Sequence, residues 1–167
     1  MISFAAQVSY APKRAIDQFR QLNTDHSPMP VTSEIRVRYA ETDQMNVVYY
    51  ANYLIWFEIG RVELLRSLGL AYSEMEIEHK LVLPVVEATC RYRAPARYDD
   101  QILIETRPAM LRGSVLKFAY RVLRKTGDGK DPELLAEGET VHVVCDEKFK
   151  RQPLPEKYAT ALRSLIG

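Results

Sequence analysis

The hydrophobic and polar positions of this chain change their period along its length, and each change predicts an element. Glu34–Ala40 alternates Ile35, Val37 and Tyr39 with polar or charged neighbours, which is typical of a half-buried strand. Ala51–Leu68 lacks this alternation and predicts a helix of about 18 residues, some 27 Å long. The first half of this helix is apolar almost all round, so we expect several neighbouring elements to bury it.

The second half of the chain predicts four more strands and two short helices. The strands are Leu81–Arg97, Gln101–Leu111, Ser114–Arg124 and Leu134–Cys145, and the short helices are Tyr72–Lys80 and Pro155–Ile166, with Pro155 in the first turn. Pro84 and Pro95 interrupt the first strand, which we therefore expect to be bent or at a sheet edge. The order β-α-β-β-β-β with short turns predicts an α+β fold, with an antiparallel sheet around one long helix.

The first 30 residues are an N-terminal extension in this interpretation, and residues 31–167 form a single domain. Ala11–Leu22 has the pattern of a short amphipathic helix, which the Ser27–Pro30 stretch SPMP ends. We expect this extension to be a partly disordered tail or an arm packed on a neighbour.

Composition narrows the class of protein. The chain has 167 residues, 47% of them hydrophobic, and a net charge of +1, which is typical of a globular protein and gives no sign of a nucleic-acid partner. No apolar run approaches the ~20 residues of a membrane span, and the N-terminus lacks the charge order of a secretory signal. Cys90 and Cys145 form no zinc motif and suit a reducing compartment, so we expect a cytoplasmic protein.

Residues 91–125 contain nine basic and three acidic residues, a local net charge of +6. Such a segment on a nearly neutral protein suits a phosphate-bearing ligand. The alternative is that these basic residues form the solvated outer faces of strands.

The candidate chemistry lies in Arg38–Tyr53, RYAETDQMNVVYYANY, between the first strand and the helix. Asp43 is the leading candidate, because a helix N-terminus beside a carboxylate stabilises a developing oxyanion; the alternative is a helix N-cap or a turn Asp. Tyr49, Tyr50 and Tyr53 suit an apolar ligand cleft with polar handles. Asn52 either caps the helix or fixes the loop.

Four other titratable residues are weaker candidates. Glu41 is expected on the opposite face of the segment from Asp43, in a structural role. Glu58 is predicted to lie on the buried helix, either paired with Arg61 three residues later or as a rival catalytic base. His79 and His142 have no nucleophile at a telling spacing and are expected to be structural. There is no G-x-S-x-G elbow and no Gly-rich phosphate loop.

These residues resemble the hotdog-fold thioesterases, in particular the 4-hydroxybenzoyl-CoA thioesterase and acyl-CoA thioesterase family. The resemblance covers roughly residues 34–148. The main motif is R-Y-x-E-T-D-x-M-x-x-V-Y-Y-A-N-Y, and three shorter motifs follow it in order: WFEIGR, PVVE and PARYDD, beginning at Trp56, Pro84 and Pro95. The chain departs from the family pattern after Asp43, where Gln44, Met45 and Asn46 replace the usual small residues.

The resemblance implies a five-stranded antiparallel sheet wrapped around one long central helix, in dimers or tetramers with active sites between subunits. It implies that Asp43 is the catalytic Asp and that Tyr50 supplies a backbone N–H to the thioester carbonyl. No metal or cofactor is implied, since CoA is part of the substrate. The expected substrate-binding residues are Val48, Tyr49, Asn52 and Tyr53 around the helix start, with Arg91, Arg93 and Arg97 for the CoA phosphates.

The expected activity is hydrolysis of an acyl-CoA or aroyl-CoA thioester, with Asp43 as nucleophile or general base. Two alternatives stay open. One is a non-catalytic acyl-CoA sensor, and the other is a hotdog dehydratase or hydratase, which usually has a His near its acid residue.

Overall fold

The computed structural model describes residues 29–127 and 130–166. Its strands are β1 Val31–Arg36, β2 Leu81–Val82, β3 Val85–Tyr92, β4 Gln101–Arg112, β5 Val115–Arg124, β6 Glu133–Val143 and β7 Cys145–Asp146. Its helices are α1 Asn52–Ser67, α2 Tyr72–His79 and α3 Glu156–Arg163, with a short 3-10 turn at Tyr39–Glu41. The predicted helix Ala11–Leu22 and most of the N-terminal extension lie outside the described residues.

Five of the strands form one antiparallel sheet in the order β1-β4-β5-β6-β3, and β2 pairs with β7 separately. The long central strands show the predicted alternation, with Ile102, Ile104 and Thr106 buried on the inner side of β4. The strands β1 and β3 are the sheet edges, as expected for the proline-flanked strand β3. The predicted α+β class and order of the five main strands are confirmed.

Helix α1 crosses the inner face of the sheet and supplies the centre of the core. Trp56 and Phe57 are completely buried, and the Phe57 ring stacks on Tyr120 with centroids 4.3 Å apart. Gly60 allows the helix to approach β4, because a Cβ there would lie 2.3 Å from the Thr106 Oγ1. Packing of the helix against the sheet therefore fixes the position of its N-terminal end at Asn52.

The predicted strand Glu34–Ala40 is too long at its C-terminal end. The ladder with β4 stops at Arg36, and the N–H of Val37 donates to the carbonyl oxygen of Asp100 at 3.0 Å. Two residues later the chain enters the 3-10 turn, which ends at Glu41. The alternating pattern continues through this segment although the sheet does not.

Four further predictions about elements need correction. Pro84 divides the predicted strand Leu81–Arg97 into β2 and β3, and the last strand likewise divides at Val144 so that Cys145 can pair with β2. Pro155 is the N-cap of α3 and does not lie within its first turn. The first half of α1 is not covered all round, because Leu54 and Ile55 are 41% and 49% exposed.

Candidate active site

A buried carboxylate organises the segment before helix α1. Glu41 is 5% exposed, and its carboxylate accepts hydrogen bonds from the N–H of Arg38 at 2.7 Å and the indole N–H of Trp56 at 3.1 Å. Burial alone would raise the pKa of Glu41, but the hydrogen bonds from Arg38 and Trp56 outweigh it and hold that pKa below its ordinary value. This is the structural role expected for Glu41.

The backbone carbonyl of Glu41 also holds the start of the helix. It accepts the N–H of Tyr49 at 2.9 Å and the side-chain amide of Asn52 at 2.8 Å. Asn52 thus fixes the loop, which is one of its two predicted structural uses. Together these bonds attach both ends of the loop Thr42–Val48 to one residue.

Within this loop, Asp43 is held by local hydrogen bonds and is partly exposed. Its Oδ1 accepts the N–H of Met45 at 2.8 Å, and its own N–H donates to the carbonyl of Val47 at 2.9 Å. Asn46 closes the turn with a left-handed φ of 59°, which Asn tolerates better than most residues. Of the two structural alternatives for Asp43, the helix N-cap is wrong, because the N-cap of α1 is Ala51, whereas the turn Asp is confirmed, because Asp43 forms an Asx turn.

Two consecutive backbone donors are open where the chain enters the helix. The N–H of Val48 donates to Ala96 at 2.8 Å, and that of Tyr49 donates to Glu41. Among the described residues, neither the N–H of Tyr50 nor that of Ala51 donates a hydrogen bond. An unpaired N–H at a helix start is a donor available to an external oxygen.

The tyrosines around this donor divide into exposed and buried members. The rings of Tyr49 and Tyr50 lie 4.5 Å apart, and both are exposed. The neighbouring Tyr50 hydroxyl is the main cause that raises the pKa of the Tyr49 hydroxyl, and the negative charge of Asp43 adds a smaller effect in the same direction. Tyr53 is buried, and its hydroxyl accepts the N–H of Ala96 at 3.0 Å.

Tyr92 belongs to this group although its sequence context does not indicate it. Its hydroxyl donates to the carbonyl of Tyr50 at 3.0 Å, and its ring meets Tyr53 edge to face at 5.1 Å. Burial is the main cause that raises the pKa of this hydroxyl. Tyr92 ends β3, about 40 positions after Tyr50, so only the folded sheet brings them together.

The three arginines predicted to meet phosphates lie in different environments. Arg93 forms an ion pair with Glu137, and Arg91 is exposed. Arg97 lies beside the loop Thr42–Val48, where its Nη1 is 3.5 Å from the carbonyl oxygen of Asn46. The structure thus brings Arg97 next to the Asp43 loop, whereas Arg93 is already paired.

The prediction that Glu58 lies on a buried surface is wrong. Glu58 is exposed and makes no ion pair with Arg61 within the described residues. Arg61 is the buried residue, and its Nε donates to the Tyr72 hydroxyl at 3.2 Å. Leu54, Ile55 and Glu58 therefore share the face of α1 that this protomer leaves open.

Among the described residues, neither His79 nor His142 makes a hydrogen bond with Asp43. His142 is completely buried on β6, between the carbonyl of Leu83 at 3.1 Å and the hydroxyl of Thr140 at 2.8 Å. His79 is exposed at the end of α2, where its ring meets Tyr158. In the parts of the chain that the structure describes, no group of three His, Cys, Asp or Glu side chains could hold a metal ion.

Comparison with known proteins identifies the family. The family model described as the Thioesterase-like superfamily matches residues 37–162. The chain belongs to this superfamily. The matched residues include Asp43, Tyr50 and the whole of helix α1.

Individual members of the superfamily are similar over most of the chain. The acyl-CoA thioesterase YbgC of Haemophilus influenzae is 32% identical over 133 residues, covering 78% of this chain and 93% of the relative. The acyl-CoA thioester hydrolase YbgC of Escherichia coli O6:H1 is 34% identical over 119 residues, covering 71% and 84%. The crystal structure of a 1,4-dihydroxy-2-naphthoyl-CoA thioesterase from Synechocystis is 27% identical with a TM-score of 0.72, covering 80% and 96%. The predicted hotdog fold is confirmed by these structural neighbours.

Proposed function

We propose that this protein hydrolyses acyl-CoA thioesters, releasing a carboxylic acid and CoA. The observation that carries the proposal is the unpaired N–H of Tyr50 at the helix start, two residues after the loop that holds the Asp43 carboxylate. The names of the YbgC relatives support the same reaction class. The motif that begins at Arg38 supports the finer assignment to the branch that includes 4-hydroxybenzoyl-CoA thioesterase.

The chemistry needs one carboxylate and one oxyanion donor. As a general base, Asp43 takes a proton from water while the resulting hydroxide attacks the thioester carbonyl carbon. The carbonyl oxygen becomes an oxyanion, which accepts the N–H of Tyr50. Collapse of this intermediate breaks the C–S bond and releases the CoA thiolate, a good leaving group because thiols have a pKa near ~8.5. The thiolate then takes up the proton held by Asp43, which restores the carboxylate.

The same geometry also permits Asp43 to act as a nucleophile. Its free carboxylate oxygen then attacks the carbonyl and forms a mixed anhydride as the thiolate leaves, and water hydrolyses the anhydride to regenerate Asp43. Both routes consume one water molecule and need no cofactor. We propose Tyr49, Tyr50 and Tyr53 as the aromatic surroundings of the acyl group, with Val48 and Asn52 holding the backbone around them.

We propose further that two copies of the chain form a dimer that completes the site. The strand β3 is a sheet edge, and its first two residues, Val85 and Val86, are 50% and 58% exposed. Leu54 and Ile55 add exposed apolar surface on α1. An exposed edge beside an apolar patch favours pairing with another strand, and a second copy provides the same edge. Pairing of dimers into a tetramer is the further expectation from the family resemblance.

Location in the cell is also a proposal. Cys90 and Cys145 are both free thiols, which supports a reducing compartment such as the cytoplasm. In the described part of the chain no helix is long and apolar enough to cross a membrane.

The proposal is tested by measuring free thiol released from a panel of acyl-CoA and aroyl-CoA thioesters. Release of CoA with formation of the matching acid supports the hydrolase and identifies the acyl class. Binding of the thioesters without release would favour the sensor alternative. Loss of water from, or its addition to, the acyl chain with the thioester intact would favour the dehydratase or hydratase.

A further inference from the structure

Two exposed tyrosine rings lie next to the segment that carries Asp43. Tyr39 is 78% exposed and Tyr98 is 60% exposed, and their rings meet edge to face with centroids 5.8 Å apart. Tyr39 precedes Asp43 by four residues, so their Cα atoms are at most ~14 Å apart. Packing of the core does not account for this pair, because both rings are largely in solvent.

The backbone around Tyr98 is held firmly although its side chain is exposed. The N–H of Arg97 donates to the carboxylate of Asp100 at 2.8 Å, and the N–H of Asp99 donates to the carbonyl of Val37 at 3.1 Å. The second bond joins the turn to the segment that carries Tyr39. The two rings are therefore presented together by a fixed pair of turns, which is favourable for binding a flat ligand.

A cation without a carboxylate partner lies beside the ring pair. Arg36 is paired with Asp99 at 3.1 Å and Arg38 with Glu41 at 3.2 Å. Within the described residues no carboxylate lies within ion-pair distance of Arg97, whose guanidinium is exposed and only 3.5 Å from the Asn46 carbonyl. Arg97 is thus available to an external anion.

Flat rings beside a free guanidinium match the chemistry of a phosphorylated purine nucleotide. A base can stack on an aromatic side chain through its π face, and an arginine binds phosphate oxygens with paired N–H donors. CoA combines an adenine, a ribose phosphate and a diphosphate with the flexible arm that carries the thioester. That arm can span the distance from the ring pair to Asp43.

We propose that Tyr39, Tyr98 and Arg97 form the subsite for the nucleotide end of CoA. The adenine packs against the tyrosine rings, and Arg97 binds a phosphate. This inference rests on the proposed thioester hydrolase for its substrate, but nucleotide binding is measured without catalysis.

The first test is calorimetric binding of adenosine 3′,5′-bisphosphate, the nucleotide part of CoA, to the full chain. We expect Tyr98→Ala, Tyr39→Ala and Arg97→Ala each to weaken binding by about tenfold, on the scale of one stacked base or one paired phosphate. Tyr98→Phe keeps the ring and should restore the affinity. Phe149→Ala is the matched control, since Phe149 is 71% exposed and follows β7. Equal affinity in all of these proteins would overturn the proposal.

The second test compares kcat/KM for an acyl-CoA with that for the same acyl group on pantetheine, which lacks the nucleotide. We expect the ratio of the two values to fall about tenfold in Tyr98→Ala and to recover in Tyr98→Phe. An equal loss with both substrates would mean a structural role, and a changed sedimentation coefficient would mean a subunit contact; either result overturns the subsite. If wild type binds the bisphosphate in the predicted pattern but hydrolyses neither thioester, the subsite stands and the proposed hydrolase fails.

Discussion

The indole N–H of Trp56 donates a hydrogen bond to the carboxylate of Glu41 at 3.1 Å, and so links the buried helix α1 to the loop that carries Asp43. Both residues are buried. The carbonyl of the same Glu41 accepts the N–H of Tyr49, one residue before the open donor of Tyr50. The position of the candidate oxyanion site therefore depends on a residue whose carboxylate is buried and bonded to Arg38 and Trp56.

Glu41→Gln should damage stability and activity together. A glutamine side chain presents an NH2 group to one of the donors, the N–H of Arg38 or the indole N–H of Trp56, and leaves it unsatisfied. We expect the free energy of unfolding to fall by about 1–3 kcal/mol and thioester hydrolysis to fall with it. Urea unfolding measures the first effect. The exposed Glu147 provides the control, and equal loss in Glu147→Gln would contradict the special role of Glu41.

The stability of the protein should depend on His142 between neutral and acid pH. Burial is the main cause that lowers the pKa of His142 to about 4 from its ordinary value of 6.5, and the nearby charge of Arg61 acts in the same direction. The unfolded chain therefore binds this proton at a higher pH than the folded chain does. Stability is lost as the pH falls from about 6.5 to about 4, by up to roughly 3 kcal/mol.

His142→Gln tests this directly. The variant should show a flatter dependence of the free energy of unfolding on pH between about 7 and about 4.5 than wild type does. His79→Gln is the control because His79 is exposed, and it should leave the dependence as in wild type. Identical slopes in wild type and His142→Gln would show that the buried ring does not exclude its second proton.

The contact between α1 and β4 should tolerate no added atom at Gly60. An alanine Cβ there would lie 2.3 Å from the Thr106 Oγ1 and 2.8 Å from the Ile104 Cγ2, both in the packed core. We expect Gly60→Ala to lower the free energy of unfolding by about 1–3 kcal/mol. Gly127→Ala meets no atom within 4 Å and should change it by no more than about 0.5 kcal/mol. Equal unfolding midpoints for the two variants would contradict the close approach.

The open face of α1 should mediate dimerisation. Ile55→Glu places a charge in the exposed patch beside β3, and we expect it to shift the protein to monomers in sedimentation velocity and to lower activity in parallel. Ile77→Glu is a matched change, because Ile77 is 68% exposed on α2. A wild-type protein that sediments as a monomer while fully active would contradict the intersubunit site.

Strong periodic segments of the sequence predicted the fold well. The alternation along Gln101–Leu111 and Ser114–Arg124 reflects the buried inner and solvated outer faces of β4 and β5, because both strands lie inside the sheet. The prediction was wrong where a distant group controls the chain. The segment after Arg36 keeps an alternating pattern, yet hydrogen bonds to Asp100 and to the Glu41 carboxylate direct it out of the sheet.

The candidate site was only partly predictable for the same reason. The order of polar residues around Asp43 indicated the loop, but the sequence does not show which backbone N–H groups are already paired. Tyr92 reaches the carbonyl of Tyr50 only because β3 ends beside the helix start. The apolar residues Leu54 and Ile55 indicated burial, while a single chain leaves them exposed.

The central claim is that Asp43 carries the chemistry, and the most direct measurement is kcat/KM for thiol release by wild type, Asp43→Asn and Glu58→Gln on the best thioester of the panel. We expect Asp43→Asn to lose at least ~10²-fold with its fold intact, since the amide neither accepts a proton from water nor attacks the carbonyl. Glu58→Gln should stay close to wild type. Equal activity of wild type and Asp43→Asn, with a large loss in Glu58→Gln, would contradict the account and assign the reaction to the exposed carboxylate of α1.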